Sequence, residues 1–413
     1  MKIQVLCPHF EPDSAPTGEF MSAIVNNLGE RGHELQVVTA LPWYRHHAIE
    51  PGWEGKPVQV EQRSWGKITR VHPFPTDKTN IPARAAAFGG FTAIGLATAL
   101  TTRFSPDIVF AMSPPMSLGL SGWMAAKRHR VPFVFNIQDV FPDVAIETGT
   151  ISSPRVIEIA KRMEKFVYDR ADVVTVLSEE MQRNVESKTD SQTAIIPNFV
   201  DVSTFQPSER ENSYRREFGL EGKRVVMYCG NVGFSQSIEL LADAAREMRD
   251  IEDLVFVVNG GGSAIGEVHR RAEGLDNFRV IPYQPVERVP EVLAAADVHV
   301  IPLRQGLAWS SVPSKLYKIL AVERPVIASV DEGTEVGRVV VEAGAGHAIP
   351  PDDPAPLIAS LRELLVSPDQ QGAMGASGRR WVEEWTTPGR AAKQYEDVFQ
   401  NLLTRQLKQH DAR

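Results

Sequence analysis

Two doubly wound α/β domains, facing each other across a deep cleft, are predicted for this chain by three observations. Short runs rich in Val, Ile and Phe alternate with helical stretches; the alternation restarts after a polar, proline-containing loop near residue 200; and glycine-bearing loops follow strands in both halves. Continuous apolar strands separated by helices are the pattern of parallel sheets covered on both faces. At 413 residues the chain also exceeds one ordinary core.

Composition narrows the class. The chain is 43% hydrophobic and 23% charged, as in an ordinary globular protein. Its net charge of -8 leaves no excess of Lys and Arg to neutralise phosphates along a duplex, so nucleic acid is not an expected partner. Cys7 and Cys229 form neither a disulfide framework nor a zinc spacing, and read as core thiols of a reducing cytoplasm. The start MKIQVLCPHF enters an alternating strand without a signal-like apolar region, which points to the cytoplasm.

In the first half, strands are expected over 3–7, 35–39, 68–72, 108–111, 133–137, 173–177 and 194–196. The loop PHFEPDSAPTGEF (8–20) follows the first of them and leads into a helix with Gly18 near its start. The uncharged stretch AAAFGGFTAIGLATALTT (85–102) is flanked by Arg84 and Arg103. Three glycines and four threonines make it a poor membrane span. It is expected as a buried helix or one lying on a membrane surface. ALPWYRHH (40–47) carries aromatics and bases suited to meeting an acceptor or capping the domain. His9, His33 and the pair His46-His47 have no partner at metal-ligand spacing, and no metal site is expected.

The division falls at IIPNFVDVSTFQPS (195–208), giving expected domains of 1–200 and 201–385. Strands are expected over 224–228, 254–258, 278–282, 298–301, 325–328 and 348–350. YCGNVGFSQS (228–237) follows the first of these and NGGGS (259–263) the second. Such glycines let a ligand phosphate approach backbone N–H groups. Neither loop is a dinucleotide fingerprint or a Walker loop. After Pro354 the chain is helical, and the amphipathic segment within 386–413 is expected to pack elsewhere, the first domain being one option.

The segment SSVPSKLYKILAVERPVIAS (310–329) is a short helix feeding a buried strand, with Pro313 and Ser314 in the first turn. Lys315 and Lys318 fall in its first turns, ~60° apart around the axis. Each cation there meets the positive end of the helix dipole, at roughly 0.3 to 1 kcal/mol if exposed. A bound anion would reverse that sign.

IIPNFVDVSTFQP, the GNVG turn, AAADVHVIPL (294–303), PSKLYKILAVERPVIAS and AGAGHAIPPDDP, with RGHELQVVT (31–39) and NIQDVFPD (136–143), together resemble the retaining glycosyltransferases of family 4. The resemblance covers almost the whole chain. It is nearest to the branch that builds bacterial surface polysaccharides such as colanic acid and O-antigen. It implies the GT-B fold of two Rossmann-like domains, a nucleotide-sugar donor linked to UDP or GDP, no metal or other cofactor, and a lipid-linked or glycan acceptor. The anion at Lys315 would then be the donor diphosphate, whose developing charge needs fixed cations.

The resemblance implies a catalytic set of Lys315, Gln138 and Asp139. It implies donor contacts from Gly18, Gly230, Asn231, Gly233, Gln236, Tyr283, Gln284, Ser310, Ser311, Ser314, Lys318 and Glu335. Two departures stand out. Ser310 and Lys318 occupy the places of two glutamates common in the family, and Gln138 stands where a histidine is common. Neutral Gln138 can hydrogen-bond a hydroxyl but cannot act as a general base. That suits a front-face mechanism in which the leaving phosphate takes the acceptor proton. Asp139 reads equally as a helix cap before Phe141-Pro142, and Glu335 as an ordinary first-turn acid. A nucleotide-sugar epimerase of the same fold and an inactive binding homologue are the alternatives. Lys127-Arg128-His129-Arg130, near the uncharged stretch, implies peripheral association with the inner membrane face.

Overall fold

The computed structural model describes residues 1–45, 47–76, 81–147, 149–306 and 314–411, the side chains of 81, 82, 84, 85 and 409–411 aside. It divides into two compact units, Met1–Asn198 with Pro388–Arg413, and Phe199–Thr387.

The first unit is built on strands β1 (Lys2–Leu6), β2 (Glu34–Ala40), β3 (Val58–Arg63), β4 (Gly66–Val71), β5 (Ile108–Ser113), β6 (Phe133–Ile137), β7 (Val173–Val176) and β8 (Gln192–Ile195), in spatial order β3-β4-β2-β1-β5-β6-β7-β8. All neighbours pair in parallel except β3 with β4, which are antiparallel. β5 and β6 are buried end to end, and β2 from Leu35 onward, as apolar runs covered on both faces must be. The amide nitrogen of buried Gln4 donates to the Gln36 side-chain oxygen at 3.0 Å and to the Ala99 carbonyl at 3.2 Å. β3 was not expected from the sequence. Its residues VQVEQR alternate along an exposed edge, so it lacks the apolar run by which the other strands are recognised.

The uncharged stretch lies within the helix Ile81–Thr101, which packs along the helix Ser117–His129 and leaves Gly89, Ala93, Ala97 and Thr101 on its open face. Among the described residues no helix is long and apolar enough to cross a membrane. The helix Pro388–Asp411 belongs to the first unit. Ala391, Tyr395, Phe399 and Leu402 form its buried stripe, and Tyr395 lies 5.0 Å from Phe110 between ring centroids. Asn136 donates to the Tyr395 hydroxyl at 2.7 Å. His33 Nε2 and Glu396 are 3.1 Å apart, which ties the same helix to the loop before β2.

The second unit contains β9 (Arg224–Asn231), β10 (Leu254–Gly261), β11 (Phe278–Ile281), β12 (Val298–Pro302), β13 (Val326–Ser329) and β14 (Gly346–Ile349), in spatial order β11-β10-β9-β12-β13-β14, with each neighbouring pair parallel. Both sheets reverse direction of growth once, between β1 and β5 in the first unit and between β9 and β12 in the second. Loops leaving the two strands at such a point diverge and open a crevice at the carboxyl edge, where open α/β sheets take their ligands.

Two local expectations are corrected. β9 and β10 pair as far as Gly230 with Gly260 and Asn231 with Gly261, so the glycines begin inside paired strands rather than in free loops. A Cβ on Gly260 would lie 2.0 Å from the Gly230 carbonyl oxygen, which explains glycine there by backbone approach alone. The short helix runs Lys315–Ala321 after Ser314, so Lys318 lies in its last turn, where the dipole favours a cation instead of opposing it.

Candidate active site

In the second unit the crevice between β9 and β12 is bordered by the end of β9 and by the helix that follows β12. Lys315, the first residue of that helix, reaches β9 and donates to the Tyr228 hydroxyl at 2.7 Å. Its ammonium lies 3.9 Å from the centroid of the same ring. A Cβ on Gly230 would come within 3.0 Å of the Lys315 Nζ, so glycine keeps that side of the ammonium open.

Among the described residues Lys315 makes no ion pair. Burial lowers its pKa from the usual lysine value to about 8. The neighbouring Cys229 thiol is pushed up to about 11 by burial and therefore supplies no counter-charge at neutral pH. Lys315 keeps part of its surface accessible, and Tyr228, whose pKa burial raises, stays a neutral phenol. The result is a desolvated cation held by a neutral partner, an arrangement that favours an incoming anion.

The other sequence-derived residues of this unit divide into two sets. Asn231, Gly233, Gln236 and Tyr283 gather near Gly230. The Asn231 carbonyl accepts from the Tyr228 hydroxyl, its side-chain oxygen lies 3.4 Å from the Tyr283 hydroxyl, and the Gly233 N–H donates to Gln236 Oε1 at 2.9 Å. Tyr283 also donates to the Gly261 carbonyl at 2.7 Å. Away from that cluster, Gln284 bonds locally to the Pro282 carbonyl and to Arg288. Lys318 lies over the Phe205 ring at 5.2 Å. Glu335 is buried at the start of the helix Glu335–Glu342 and pairs with Arg338, and Ser314 precedes the lysine helix without capping it through its side chain. Ser310, Ser311 and Pro313 lie outside the described residues, as does His46.

Gly18, Gln138 and Asp139 belong to the first unit. Gln138 is buried, donates to Asn136 Oδ1 at 2.8 Å and is tied through its backbone N–H to the Ser113 carbonyl. Asp139 follows β6, and burial alone raises its carboxyl to about 6. It caps no helix; the next one, Asp143–Glu147, begins four residues later. Gly18 sits against the loop after β1, where a Cβ would meet the His9 Cβ at 2.9 Å.

One candidate pair was missed by sequence reasoning. His9 Nδ1 and Asp13 Oδ2 are 2.6 Å apart, with both residues buried in that loop. The i,i+4 spacing was the available signal, but it is informative only where the backbone brings the two together, and these loop residues carry no helical pattern.

Comparison with known proteins places both halves. Residues 17–198 match the model of the glycosyl transferase 4-like domain, and residues 223–367 that of glycosyl transferases group 1. The chain is similar to an Escherichia coli K12 protein named for colanic acid biosynthesis glycosyl transfer, WcaI, with 25% identity over 89% of this chain and 93% of that one. Sucrose-phosphate synthase from Thermosynechococcus elongatus superposes with a TM-score of 0.72 at 18% identity, covering 98% of this chain and 100% of that one. HepE of Anabaena, solved with UDP-glucose, superposes with a TM-score of 0.69 at 15% identity, covering 97% and 100%.

Proposed function

Because the chain is a group 1 glycosyltransferase with the GT-B fold, we propose that it moves a sugar from a UDP- or GDP-linked donor to a lipid-linked or polysaccharide acceptor of the cell surface, with retention and without a metal ion. The observation that carries this reading is Lys315, half-buried and, among the described residues, without an ion pair at the β9–β12 switch point. The UDP-glucose bound by HepE supports the donor class, and the name of WcaI supports the glycan.

In this reading the donor diphosphate takes the open side of the Lys315 ammonium beside Gly230. Asn231, Gly233, Gln236, Tyr283 and Glu335 complete donor contacts, together with Gly18, Gln284, Ser310, Ser311, Ser314 and Lys318. As the bond between the anomeric carbon and the phosphate oxygen breaks, negative charge builds on the leaving group and Lys315 stabilises it. The acceptor oxygen bonds to the same face of the anomeric carbon. Its proton passes to the departing phosphate, and a nucleoside diphosphate is released. Asp139 and Gln138 orient hydroxyls and take no proton. The protein works in the cytoplasm, at the inner membrane face where lipid-linked acceptors are displayed.

The test is incubation with UDP- and GDP-sugars and candidate lipid-linked acceptors, followed by mass spectrometry. Transfer, or slow hydrolysis of one donor, supports the reading. Accumulation of an epimerised nucleotide-sugar, or no reaction with any donor, contradicts it.

A further inference from the structure

The second switch point, between β1 and β5, holds the His9–Asp13 pair, and its chemistry differs from that at Lys315. Asp13 is fixed from two sides: one carboxylate oxygen lies 2.6 Å from His9 Nδ1, and the other accepts the Tyr44 backbone N–H at 3.0 Å. A carboxylate can only accept, so the Nδ1 proton resides on His9, and in the neutral imidazole Nε2 is then the acceptor. Among the described residues Nε2 has no hydrogen-bond partner, yet it is not among the fully enclosed orphan atoms, so it opens to the surface. The Trp43 ring stacks at 5.8 Å and 28° to the imidazole, with Tyr44 edge-on at 5.3 Å. An aromatic face beside a directed hydrogen-bond acceptor is suited to a sugar, which offers C–H groups to the ring and a hydroxyl to the nitrogen.

We infer that His9, oriented by Asp13, binds a hydroxyl of the acceptor glycan, with Trp43 and Tyr44 as the platform for its ring. The inference rests on the glycosyltransferase reading for the word acceptor, but the site itself is defined by first-unit residues alone. Three observations converge on it. The loop leaves the strand edge at which α/β sheets bind ligands. Asp139 follows β6, which lies two strands away along the same edge, ~10 Å at ordinary strand spacing. Gly18 lacks the Cβ that would collide with His9, so the helix Pro16–Glu30 can hold the loop in place. Asp13 is a positioning residue, and His9 and the two aromatics are the contacts.

The test uses the full chain with 15N-labelled histidine and long-range proton–nitrogen correlation of the imidazoles, His9 being assigned by its loss in His9→Gln. The expected resting state is the Nδ1–H tautomer with unprotonated Nε2. Titration with methyl α-glucoside, methyl α-galactoside and methyl α-mannoside should move the Nε2 resonance saturably for at least one of them, and Trp43→Ala should weaken that response at least tenfold. Asp13→Asn should mix the tautomers; because the wild-type tautomer is read directly, the inference stays falsifiable even if that variant does not fold. An Nε2–H tautomer at rest, or no saturable movement with any glycoside, overturns it. No nucleotide is present, so failure here leaves the donor reading standing, and failure of UDP and GDP to bind leaves a positive glycoside titration standing.

Discussion

Lys315 and Tyr228, 87 residues apart in the chain, meet beside β9, with the ammonium 2.7 Å from the phenol oxygen and, among the described residues, no carboxylate paired to it. The charge is kept in the fold by one neutral hydrogen bond and one ring face. That is a poor arrangement for stability and a good one for binding an anion.

Replacing Lys315 by Met should therefore stabilise the ligand-free protein. A pKa lowered from 10.5 to about 8 means that the folded state disfavours the charged form, on the order of 3 kcal/mol at most. The unfolded chain binds the extra proton between those two values, so wild-type stability rises with pH across that window. The gain from Lys315→Met is full below pH 8 and gone above 10.5. Thermal unfolding of both proteins at neutral pH checks the sign, and a lower midpoint for Lys315→Met contradicts it.

Nucleoside diphosphate affinity should fall as pH rises through about 8, where free Lys315 loses its proton. Above that point binding must take a proton up, and affinity drops by up to about tenfold per pH unit. Lys315→Met should abolish this dependence. Calorimetry from about pH 7 to about pH 9.5 reads it, and a flat wild-type profile would show that the ammonium is not engaged.

Asp139 makes the opposite case. Its carboxyl is raised to about 6, so above that pH the folded protein carries a desolvated charge, and Asp139→Asn should stabilise the protein there, by on the order of 2 kcal/mol. The gain fades as pH falls from 6 towards the unfolded value. Sugar transfer should nevertheless drop, because an amide cannot accept at both of its ends from donor or acceptor hydroxyls. Loss of both stability and transfer would make Asp139 a structural residue.

Most of the fold was legible because parallel strands buried on both faces must be written as apolar runs, and those of β1, β2, β5, β9 and β12 are unmistakable. β3 was not, since an exposed edge strand needs no such run. The resemblance marked Lys315 without showing its physical state. Its burial and the Tyr228 contact depend on β9 lying beside β12, a tertiary fact. Lys318 was misplaced by half a helix because the start at Lys315 leaves only seven residues, so its position changes the sign of the dipole interaction. His9 and Asp13 were hidden for a different reason: two residues of a loop are brought together by backbone turns that no periodicity encodes.

Membrane association should be peripheral and salt-sensitive. Lys127, Arg128 and Arg130 are exposed at the end of one helix of the first unit, and Met124 is exposed one turn before them. Each basic residue near an anionic surface contributes about 1 kcal/mol, screened by salt. The wild type should float with anionic vesicles at low salt, and the double variant Lys127→Glu, Arg128→Glu should float less. Wild-type protein that stays at the bottom of the low-salt gradient rules out this surface.

The central claim is that Lys315 holds the donor diphosphate. Isothermal calorimetry of UDP and GDP with wild type and Lys315→Met, at neutral pH, tests it most directly. The account predicts that one nucleotide binds the wild type and that the variant binds it about 1.5 to 3 kcal/mol more weakly, the range of a charge-assisted hydrogen bond. Equal affinity in a folded Lys315→Met protein would contradict it.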